Sequence, residues 1–231
     1  MKKNMVIKKT VLFDLDGTLL DTLETLTYFV NLTLADFGLE GICSEQCRRF
    51  VGKGARNLIT RSLEGVGALE RIDIDEALAC FDKHYSSDPL YLSKPYDGVC
   101  ECVAALRRRG IPCAVFSNKP DYAVKECVAK FFPGLFDLSL GGGVYPLKPS
   151  AEGAHHILES LGSDPSHTVY VGDSEIDYYT AKQIGCKGLL VLWGFRTREE
   201  LSSFDADRFI DDVSMLEDAV LELLDGGSDE S

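Results

Sequence analysis

Two aspartates, Asp14 and Asp16, stand two positions apart directly after the apolar run of residues 10–13, and Gly17 follows them. A short apolar run of this kind is typical of a strand that is buried on both faces. Because side chains alternate along a strand, both carboxylates are expected on the same side. Two like charges held so close repel each other, and a divalent cation would offset that repulsion. Taken alone, the pair could equally form a turn whose acids cap backbone amides.

Polar residues also follow apolar runs further along the chain. Ser117 and Asn118 come after the run 114–116, and their hydroxyl and amide groups could donate hydrogen bonds to a phosphate. Lys148 stands before Pro149, and a lysine held in this way can neutralise phosphate charge and orient a nucleophile. In isolation, the first two residues could instead form a helix-initiating loop, and the lysine could be a solvated surface residue.

Asp173 and Asp177 add two carboxylates after the apolar run 168–171. Their spacing places both on one face of a helix. Like charges at that spacing destabilise a helix unless a cation lies close to both. The sequence therefore predicts carboxylates at the ends of two strands, and a divalent cation shared between them.

The segments that carry these residues alternate between apolar runs and stretches of helical period. This alternation predicts an α/β fold with a doubly wound parallel sheet, whose ligand crevice lies beyond the carboxyl ends of the strands. The predicted strands are residues 10–13, 112–116, 136–140, 168–171, 188–192 and 208–210, and the predicted helices between them are residues 99–109, 122–131, 151–161 and 177–184.

Residues 21–93 interrupt the alternation. They contain helical patterns at 23–37, 44–50, 55–63 and 75–85, but no convincing strand. We predict that residues 21–93 form an inserted, all-helical cap domain, and that residues 1–20 and 94–231 form the core. The final residues, 225–231, contain only Gly, Ser and acidic residues, which predicts a frayed tail.

The charge balance limits the classes of partner. The chain has 24 basic and 37 acidic side chains and a formal net charge of −13. Such a field repels nucleic-acid backbones and anionic lipids, so we expect neither nucleic acid nor membrane as a partner. An anionic substrate would need local positive charge from a bound cation or a few lysines. No signal-peptide or membrane-spanning run is apparent, so we expect a cytoplasmic protein, either monomer or homodimer.

The polar segments, in this order and at this spacing, resemble the four motifs of the haloacid dehalogenase superfamily. A single motif is moderately specific, whereas four motifs that each end a predicted parallel strand argue against chance agreement. The helical insertion resembles the all-helical cap of one subgroup, and further segments resemble its phosphoglycolate phosphatases. The resemblance is carried by DLDGT at 14–18, SN at 117–118, Lys148 and GDSEID at 172–177, and for the phosphoglycolate phosphatases by 49–55, Arg61, 96–99, 117–120 and 192–195.

This resemblance implies a Rossmann-like core and a magnesium-dependent phosphatase that acts on a small phosphomonoester, with phosphoglycolate as a candidate substrate. It implies that Asp14 attacks phosphorus to form an aspartyl-phosphate, and that Asp16 acts as general acid and then as general base. Mg²⁺ would be held by the Asp14 carboxylate, the main-chain carbonyl of Asp16, and Asp173, with Asp177 supporting through water.

The remaining site residues would bind the substrate. Thr18, Ser117 and Asn118 would fix the phosphoryl oxygens, and Lys148 would neutralise their charge. In the cap, Lys53 and Arg56 lie beside Gly52 and Gly54 and are candidates for contacting the organic part of the substrate. A solvated cap surface is an equally good explanation of these two charges.

Other functions are open at this point. A sugar-phosphate phosphatase or a phosphomutase would keep both Asp14 and Asp16. Phosphonate hydrolysis through Lys53, and dehalogenation, are disfavoured because neither chemistry needs an acid at position 16. A non-catalytic phosphate-binding switch would lack the general acid and base, whereas Asp16 is present.

Overall fold

The central sheet has six strands, each parallel to its neighbours, in the computed structural model, which describes residues 7–226. The described residues form eight strands in all, of which β2 and β3 form a separate two-stranded sheet. They are β1 (Thr10–Phe13), β2 (Leu20–Asp21), β3 (Lys94–Pro95), β4 (Cys113–Pro120), β5 (Leu138–Gly142), β6 (Thr168–Gly172), β7 (Lys187–Val191) and β8 (Arg208–Ile210). The order in the sheet is β5-β4-β1-β6-β7-β8. The predicted doubly wound parallel α/β sheet is therefore confirmed.

Helices cover both faces of this sheet and fill the insertion between β2 and β3. They are α1 (Leu23–Asp36), α2 (Ser44–Phe50), α3 (Ala55–Gly65), α4 (Ile74–Tyr85), α5 (Val99–Arg108), α6 (Asp121–Phe131), α7 (Glu152–Leu161), α8 (Glu175–Ile184), α9 (Arg198–Leu201) and α10 (Leu216–Asp225). Within residues 7–226, none of these helices is long and apolar enough to cross a membrane. The predicted tail overlaps the end of α10 at Asp225, and its residues 227–231 lie outside the described residues.

The two faces of the sheet are packed by different helices because side chains alternate along each strand. Val11 and Phe13 point to the side where α5 and α10 pack. Leu12 points to the opposite side and packs with α7 and α8. All three side chains are fully buried, as expected of a central strand in a parallel sheet. This double burial fixes the end of β1, and with it the position of Asp14.

The cap has its own apolar centre, formed by α1 to α4. Aromatic rings dominate it: Phe81 stacks on Tyr85 with ring centroids 5.3 Å apart, and Phe29 meets Tyr85 edge to face at 5.4 Å. Such pairs stabilise a core beyond simple burial of area. Ala123 and Phe195 of the core also pack into this cluster, so the cap rests directly on the sheet domain.

A short antiparallel ribbon joins the cap to the core. Strand β2 pairs with β3, with Leu20 opposite Pro95 and Asp21 opposite Lys94. The chain therefore leaves the core and returns to it side by side. The sequence analysis found no strand at these positions, because two-residue strands leave no periodic pattern to detect.

Two arginines hold the cap against the core from opposite sides of the junction. Arg196 of the core donates to the carbonyls of Arg48 at 2.8 Å and Val51 at 3.0 Å. Arg48 of the cap donates in return to the carbonyl of Phe195, and it pairs with Glu200 at 2.9 Å. Charge-assisted hydrogen bonds of this kind are stronger than neutral ones, so this reciprocal exchange favours the cap position seen here.

The Arg48–Glu200 contact should make cap attachment depend on pH. Hydrogen bonds from Arg48 lower the pKa of Glu200 from 4.5 to about 2. A carboxylate whose pKa is lower in the folded state contributes stability above its unfolded pKa and loses it as pH falls towards the folded value. We expect Glu200→Gln to reduce the free energy of unfolding by about 0.5 kcal/mol near neutral pH, since the carboxylate is 38% exposed and screened by solvent.

This difference should shrink as the pH falls from 4.5 towards 2. Chemical denaturation of wild type and variant at about pH 6 and about pH 3 measures it. Glu159→Gln, at an exposed position on α7, is the control. An equal difference at both pH values would show that the carboxylate charge does not contribute.

Candidate active site

Asp14 and Asp16 extend from the carboxyl end of β1 and their carboxylates turn to different partners. The main-chain N–H of Asp14 donates to the carbonyl of Val171 at 2.9 Å, which fixes it beside β6. Its side chain is 12% exposed, and its carboxylate lies 2.9 Å from the ammonium of Lys148. The Asp16 carboxylate instead accepts hydrogen bonds from the hydroxyl of Thr22 at 2.9 Å and from Lys119 at 2.8 Å.

Lys148 is a buried cation at the centre of the site, with a side chain only 1% exposed. Its Nζ lies 2.9 Å from Asp14 Oδ2 and 2.7 Å from Asp177 Oδ1, and it donates to the hydroxyl of Tyr170 at 2.9 Å. The backbone of Lys148 is held by Asn118, whose Oδ1 accepts from its N–H at 2.7 Å and whose Nδ2 donates to its carbonyl at 3.1 Å. Asn118, near the end of β4, thus fixes the position of Lys148 relative to the sheet.

Three buried carboxylates converge at the carboxyl ends of β1 and β6. Oxygen atoms of Asp14, Asp173 and Asp177 all lie within 4.8 Å of one another. Asp177 Oδ2 accepts from two main-chain N–H groups at 3.1 Å each and from the hydroxyl of Ser174 at 2.7 Å. Asp173 accepts from the hydroxyl of Thr18 at 3.0 Å. These hydrogen bonds fix the direction of each carboxylate, so the cluster is formed before any ligand binds.

The electrostatics of this cluster favour a divalent cation. Burial raises the pKa of Asp14 to about 6, with further contributions from Asp177 and Asp16, although Lys148 opposes the shift. Burial, together with Asp177 and Asp14, raises the pKa of Asp173 well above its ordinary value. Burial would also raise the pKa of Asp177, but Lys148 and hydrogen bonds lower it overall. One lysine does not balance three carboxylates, and oxygen ligands of this kind suit a hard divalent cation.

Glycines allow the loops of the site to approach these carboxylates. A Cβ atom on Gly17 would lie 2.4 Å from Asp173 Oδ2, and Gly17 also has a φ of +84°. A Cβ atom on Gly172 would lie 2.2 Å from the Asp177 side chain. Any larger residue at these positions would push apart the segments that follow β1 and β6, and would thereby separate the carboxylates of the cluster.

Asp14 and Asp173 of the cluster line the floor of a cavity between core and cap, called here the active-site cavity. Its volume is about 60 Å³, which suits a small molecule. Its polar lining comes from Asp14, Asp16, Ser117, Asn118, Lys119, Asp173, Ser174 and Arg196, and its apolar cap wall from Leu26, Val51, Leu58, Phe81 and Tyr85. The phosphoryl-binding end and the organic end of a substrate would therefore meet very different surfaces.

A profile of the haloacid dehalogenase-like hydrolases matches residues 11–191, which include β1, the insertion, β4 and β6. The chain belongs to this family. The matched segment carries each of the acidic residues of the cluster as well as Lys148. The family resemblance inferred from the four motifs is thereby confirmed.

Relatives within the haloacid dehalogenase-like hydrolases narrow the activity. The chain is 31% identical to a phosphoglycolate phosphatase of Aquifex aeolicus, over 93% of this chain and 99% of that protein. It is 34% identical to a phosphoglycolate phosphatase of Rhodospirillum rubrum, over 91% and 90%. A solved structure from Lactobacillus delbrueckii subsp. bulgaricus, for which the same activity is proposed, superposes with a TM-score of 0.85 at 30% identity, covering 93% and 99%. The chain is thus a phosphatase that hydrolyses a phosphomonoester.

Not every residue predicted to bind the substrate is free to do so in the active-site cavity. Ser117 and Asn118 line it, but they belong to β4 and not to a loop, and the Asn118 amide is occupied by Lys148 and by the carbonyl of Gly52. Thr18 is buried, and its hydroxyl donates to Asp173. Their predicted contacts with phosphate stay predictions, and the structure shows Thr18 and Asn118 supporting other residues of the site.

Lys53 and Arg56 lie outside the cavity lining. Both are exposed, and Arg56 forms an ion pair with Asp75 on α4. Their predicted role in contacting the organic part of the substrate therefore gains no support from the position of the cap.

Lys119 and Tyr170 are among the site residues that the sequence did not predict. Lys119 follows Ser117 by two positions within β4, so strand alternation places it on the side of Ser117. The predicted strand ended at residue 116, so this alternation was not extended to Lys119. Tyr170 lies inside an apolar strand, where a tyrosine gives no indication of a role in the site. Its role is seen only in the structure, where its hydroxyl donates to the carbonyl of Phe116 and to Asp177.

Proposed function

We propose that this chain hydrolyses phosphoglycolate in a magnesium-dependent reaction that passes through an aspartyl-phosphate on Asp14. The observation that carries the proposal is the position of the Asp14 carboxylate at the floor of the active-site cavity. There it is 2.9 Å from Lys148 and within 4.8 Å of Asp173 and Asp177. A nucleophile, a cation and further acidic ligands thus face one small space.

Asp14 supplies the nucleophile. Its Oδ1 accepts from the main-chain N–H of Leu15 at 2.7 Å, and its Oδ2 contacts Lys148. These contacts hold the carboxylate in one orientation, which favours in-line attack on phosphorus. Lys148 also attracts the dianionic phosphoryl group, which the acidic cluster alone would repel.

Asp16 supplies the general acid and base. Its carboxylate lines the cavity but is separate from the three-carboxylate cluster, since its Oδ1 is held by Thr22 and Lys119. It can therefore protonate the leaving oxygen and later deprotonate the water that hydrolyses the aspartyl-phosphate. The two aspartates keep different roles because their partners differ.

The residues that would hold Mg²⁺ are Asp14, Asp173 and the main-chain carbonyl of Asp16, with Asp177 supporting through water. They fit this ion because their oxygens are hard ligands and because Lys148 alone does not balance the three carboxylates of the cluster. When bound, the ion would neutralise phosphoryl oxygens and so favour attack by an anionic nucleophile.

Phosphoglycolate is the proposed substrate for two reasons. The curated relatives that cover almost the entire chain are named for that activity. The active-site cavity is also small, at about 60 Å³, and its cap wall is apolar, which favours a leaving group of few atoms over a sugar or a polymer.

Removal of divalent cations is expected to lower turnover by roughly 100-fold and to be reversed by Mg²⁺. Inorganic phosphate released from p-nitrophenyl phosphate, after treatment with a chelator and titration with Mg²⁺, measures this.

Asp173→Asn should shift the Mg²⁺ titration to concentrations higher by a factor of about 10 to 100, because a ligand charge is lost. Asp36→Asn, in the separate cap cluster with Cys80 and His84, is the matched control. Full activity without divalent cations would contradict the metal assignment.

A substrate panel tests the assignment of phosphoglycolate. We expect the highest kcat/KM for phosphoglycolate among small phosphomonoesters that include glucose 6-phosphate and β-glucose 1-phosphate. Preference for a sugar phosphate would favour the sugar-phosphate phosphatase alternative. Formation of an isomeric sugar phosphate, with bisphosphate required for activity, would favour a phosphomutase.

A further inference from the structure

The hydroxyl of Tyr85 is buried and forms no hydrogen bond of normal geometry among the described residues, although Lys119 is close enough to interact with it. Tyr85 ends α4, lines the active-site cavity and is 1% exposed. Its ring is fixed by Phe29 and Phe81, so the hydroxyl cannot turn out to solvent without disrupting the cap centre. A buried hydroxyl with no partner lowers the stability by about 1–3 kcal/mol. A bound ligand that accepts a hydrogen bond from it would remove this cost.

Lys119 of the core presents a charged group to the same place. Its side chain is 1% exposed, and its ammonium lies over the Tyr85 ring, 5.2 Å from the centroid. Among the described residues, Asp16 is the hydrogen-bond acceptor that Nζ reaches, at 2.8 Å. An ammonium has three donors, so this leaves capacity for a further acceptor.

Both groups can donate hydrogen bonds, since an ammonium has N–H donors and a phenol has an O–H donor. Burial raises the pKa of Tyr85, with a smaller opposing effect of Lys119, so the phenol stays protonated. An N–H donor and an O–H donor that converge beside an apolar wall are suited to an anionic oxygen group.

The other buried cation of the cavity lining is already occupied. Arg196 pairs with Glu175 at 2.9 Å and donates to the carbonyls of Arg48 and Val51. Its guanidinium is therefore committed to holding the cap on the core. Among the described residues that line the cavity away from Lys148, this leaves Lys119 as the cation for a substrate.

We propose that Lys119 and Tyr85 form a subsite for a carboxylate on the leaving group of the substrate. The proposal rests on the proposed function, in which Asp16 contacts the ester oxygen. In phosphoglycolate the carboxyl carbon is only two bonds from that oxygen. A carboxylate so placed falls next to Asp16, and therefore next to the ammonium that lies 2.8 Å from Asp16 Oδ1.

The subsite also joins the two parts of the molecule. Lys119 belongs to β4 of the core and Tyr85 to α4 of the cap. A carboxylate held by both would stabilise the cap on the core over Asp14. A phosphomonoester without the carboxylate would bind the core residues but would leave the Tyr85 hydroxyl without a partner.

The test compares kcat/KM for phosphoglycolate and for ethyl phosphate, in which a methyl group replaces the carboxylate. The ratio of the two values is measured in wild type, Tyr85→Phe and Lys119→Met. We expect the ratio to fall about 10-fold in Tyr85→Phe and about 100-fold in Lys119→Met, because hydrogen bonds to a charged group are lost. Tyr178→Phe and Lys182→Met are matched controls, since Lys182 lies over the Tyr178 ring at 5.4 Å on the surface of α8.

A positioning role alone predicts a different result. If Lys119 only orients Asp16, and Tyr85 only fills the cap, both substrates lose the same factor and the ratio is unchanged. That outcome overturns the subsite. Tyr85→Phe keeps the ring and its packing, so it remains informative even where Lys119→Met fails to fold.

Inhibition by glycolate separates this proposal from the proposed function. With p-nitrophenyl phosphate as substrate, we expect the glycolate inhibition constant to rise about 10-fold in Tyr85→Phe. A wild type that hydrolyses p-nitrophenyl phosphate but not phosphoglycolate contradicts the proposed substrate only. Equal glycolate inhibition constants in wild type and Tyr85→Phe, or no inhibition in either, contradict the carboxylate subsite only.

Discussion

Replacement of Asp14 by Asn is expected to lower turnover by about four orders of magnitude while the fold is retained. The amide has nearly the same shape, so it can still occupy the space beside Lys148 and Val171. It is a far weaker nucleophile than a carboxylate, and the aspartyl-phosphate cannot form. Loss of one negative charge from a crowded cluster should also leave the stability equal or higher, because burial raises the pKa of Asp14 to about 6.

Release of inorganic phosphate at saturating Mg²⁺ measures the loss, and acid-quenched enzyme measures the covalent intermediate. Wild type should retain protein-bound phosphate that is sensitive to hydroxylamine, and Asp14→Asn should retain none. Asp218→Asn, at an exposed position of α10, is the control for an aspartate-to-asparagine change. Turnover in Asp14→Asn above about one hundredth of wild type would exclude Asp14 as the nucleophile.

Replacement of Lys148 by Met is expected to affect both turnover and stability. Its ammonium lies between Asp14 at 2.9 Å and Asp177 at 2.7 Å, and removal leaves buried carboxylates without their cation. Breaking a buried pair by removal of one partner typically costs about 3–5 kcal/mol. Turnover should fall by about 1000-fold, because the charge of the phosphoryl group is no longer offset on that side.

Chemical denaturation in chelator and in Mg²⁺ measures the effect on stability. Mg²⁺ should stabilise Lys148→Met more than wild type, because the cation then offsets a larger excess of negative charge. Lys187→Met, whose exposed ammonium is 3.3 Å from Asp207, is the control. If Lys148→Met does not fold, Lys148→Arg provides a charged variant of different shape. A loss of less than about 1 kcal/mol in Lys148→Met would show that the cluster tolerates its own charge.

The sheet and the position of its acidic residues were predictable from sequence because they follow from short-range patterns. The run 10–13 is apolar after Thr10, which indicates a strand buried on both faces, and the observed β1 has the same bounds. Parallel strands bring their carboxyl ends to one edge of a sheet. Asp14 and Asp173, far apart in sequence, therefore approach each other for a reason that the sequence contains.

Side-chain partners were less predictable because they depend on elements that no local pattern relates. Asn118 was expected to contact phosphate, but its amide binds the backbone of Lys148 and the cap carbonyl of Gly52. Thr18 likewise donates to Asp173. The residue types suit either role, and the predicted phosphate contacts of both residues stay predictions.

The charges of the cap illustrate the same limit. Lys53 and Arg56 stand beside flexible glycines, which suggested that they face the substrate, yet both are exposed. The buried cation near the cap is Lys119, which comes from the core. Helical periodicity in a short, mixed segment does not determine which face meets the neighbouring domain, and Lys119 lies beyond the end of the predicted strand at residue 116.

The antiparallel pairing of β2 with β3 brings the beginning and the end of the insertion next to each other, with Asp21 opposite Lys94. A segment bounded in this way can be replaced as a unit, by a lid of another size or by a tight turn, without altering the spacing of the strands beneath it. Diversification of substrate range would then require only a recombination between two adjacent points. Each chimera would keep the catalytic residues of the core in their present positions.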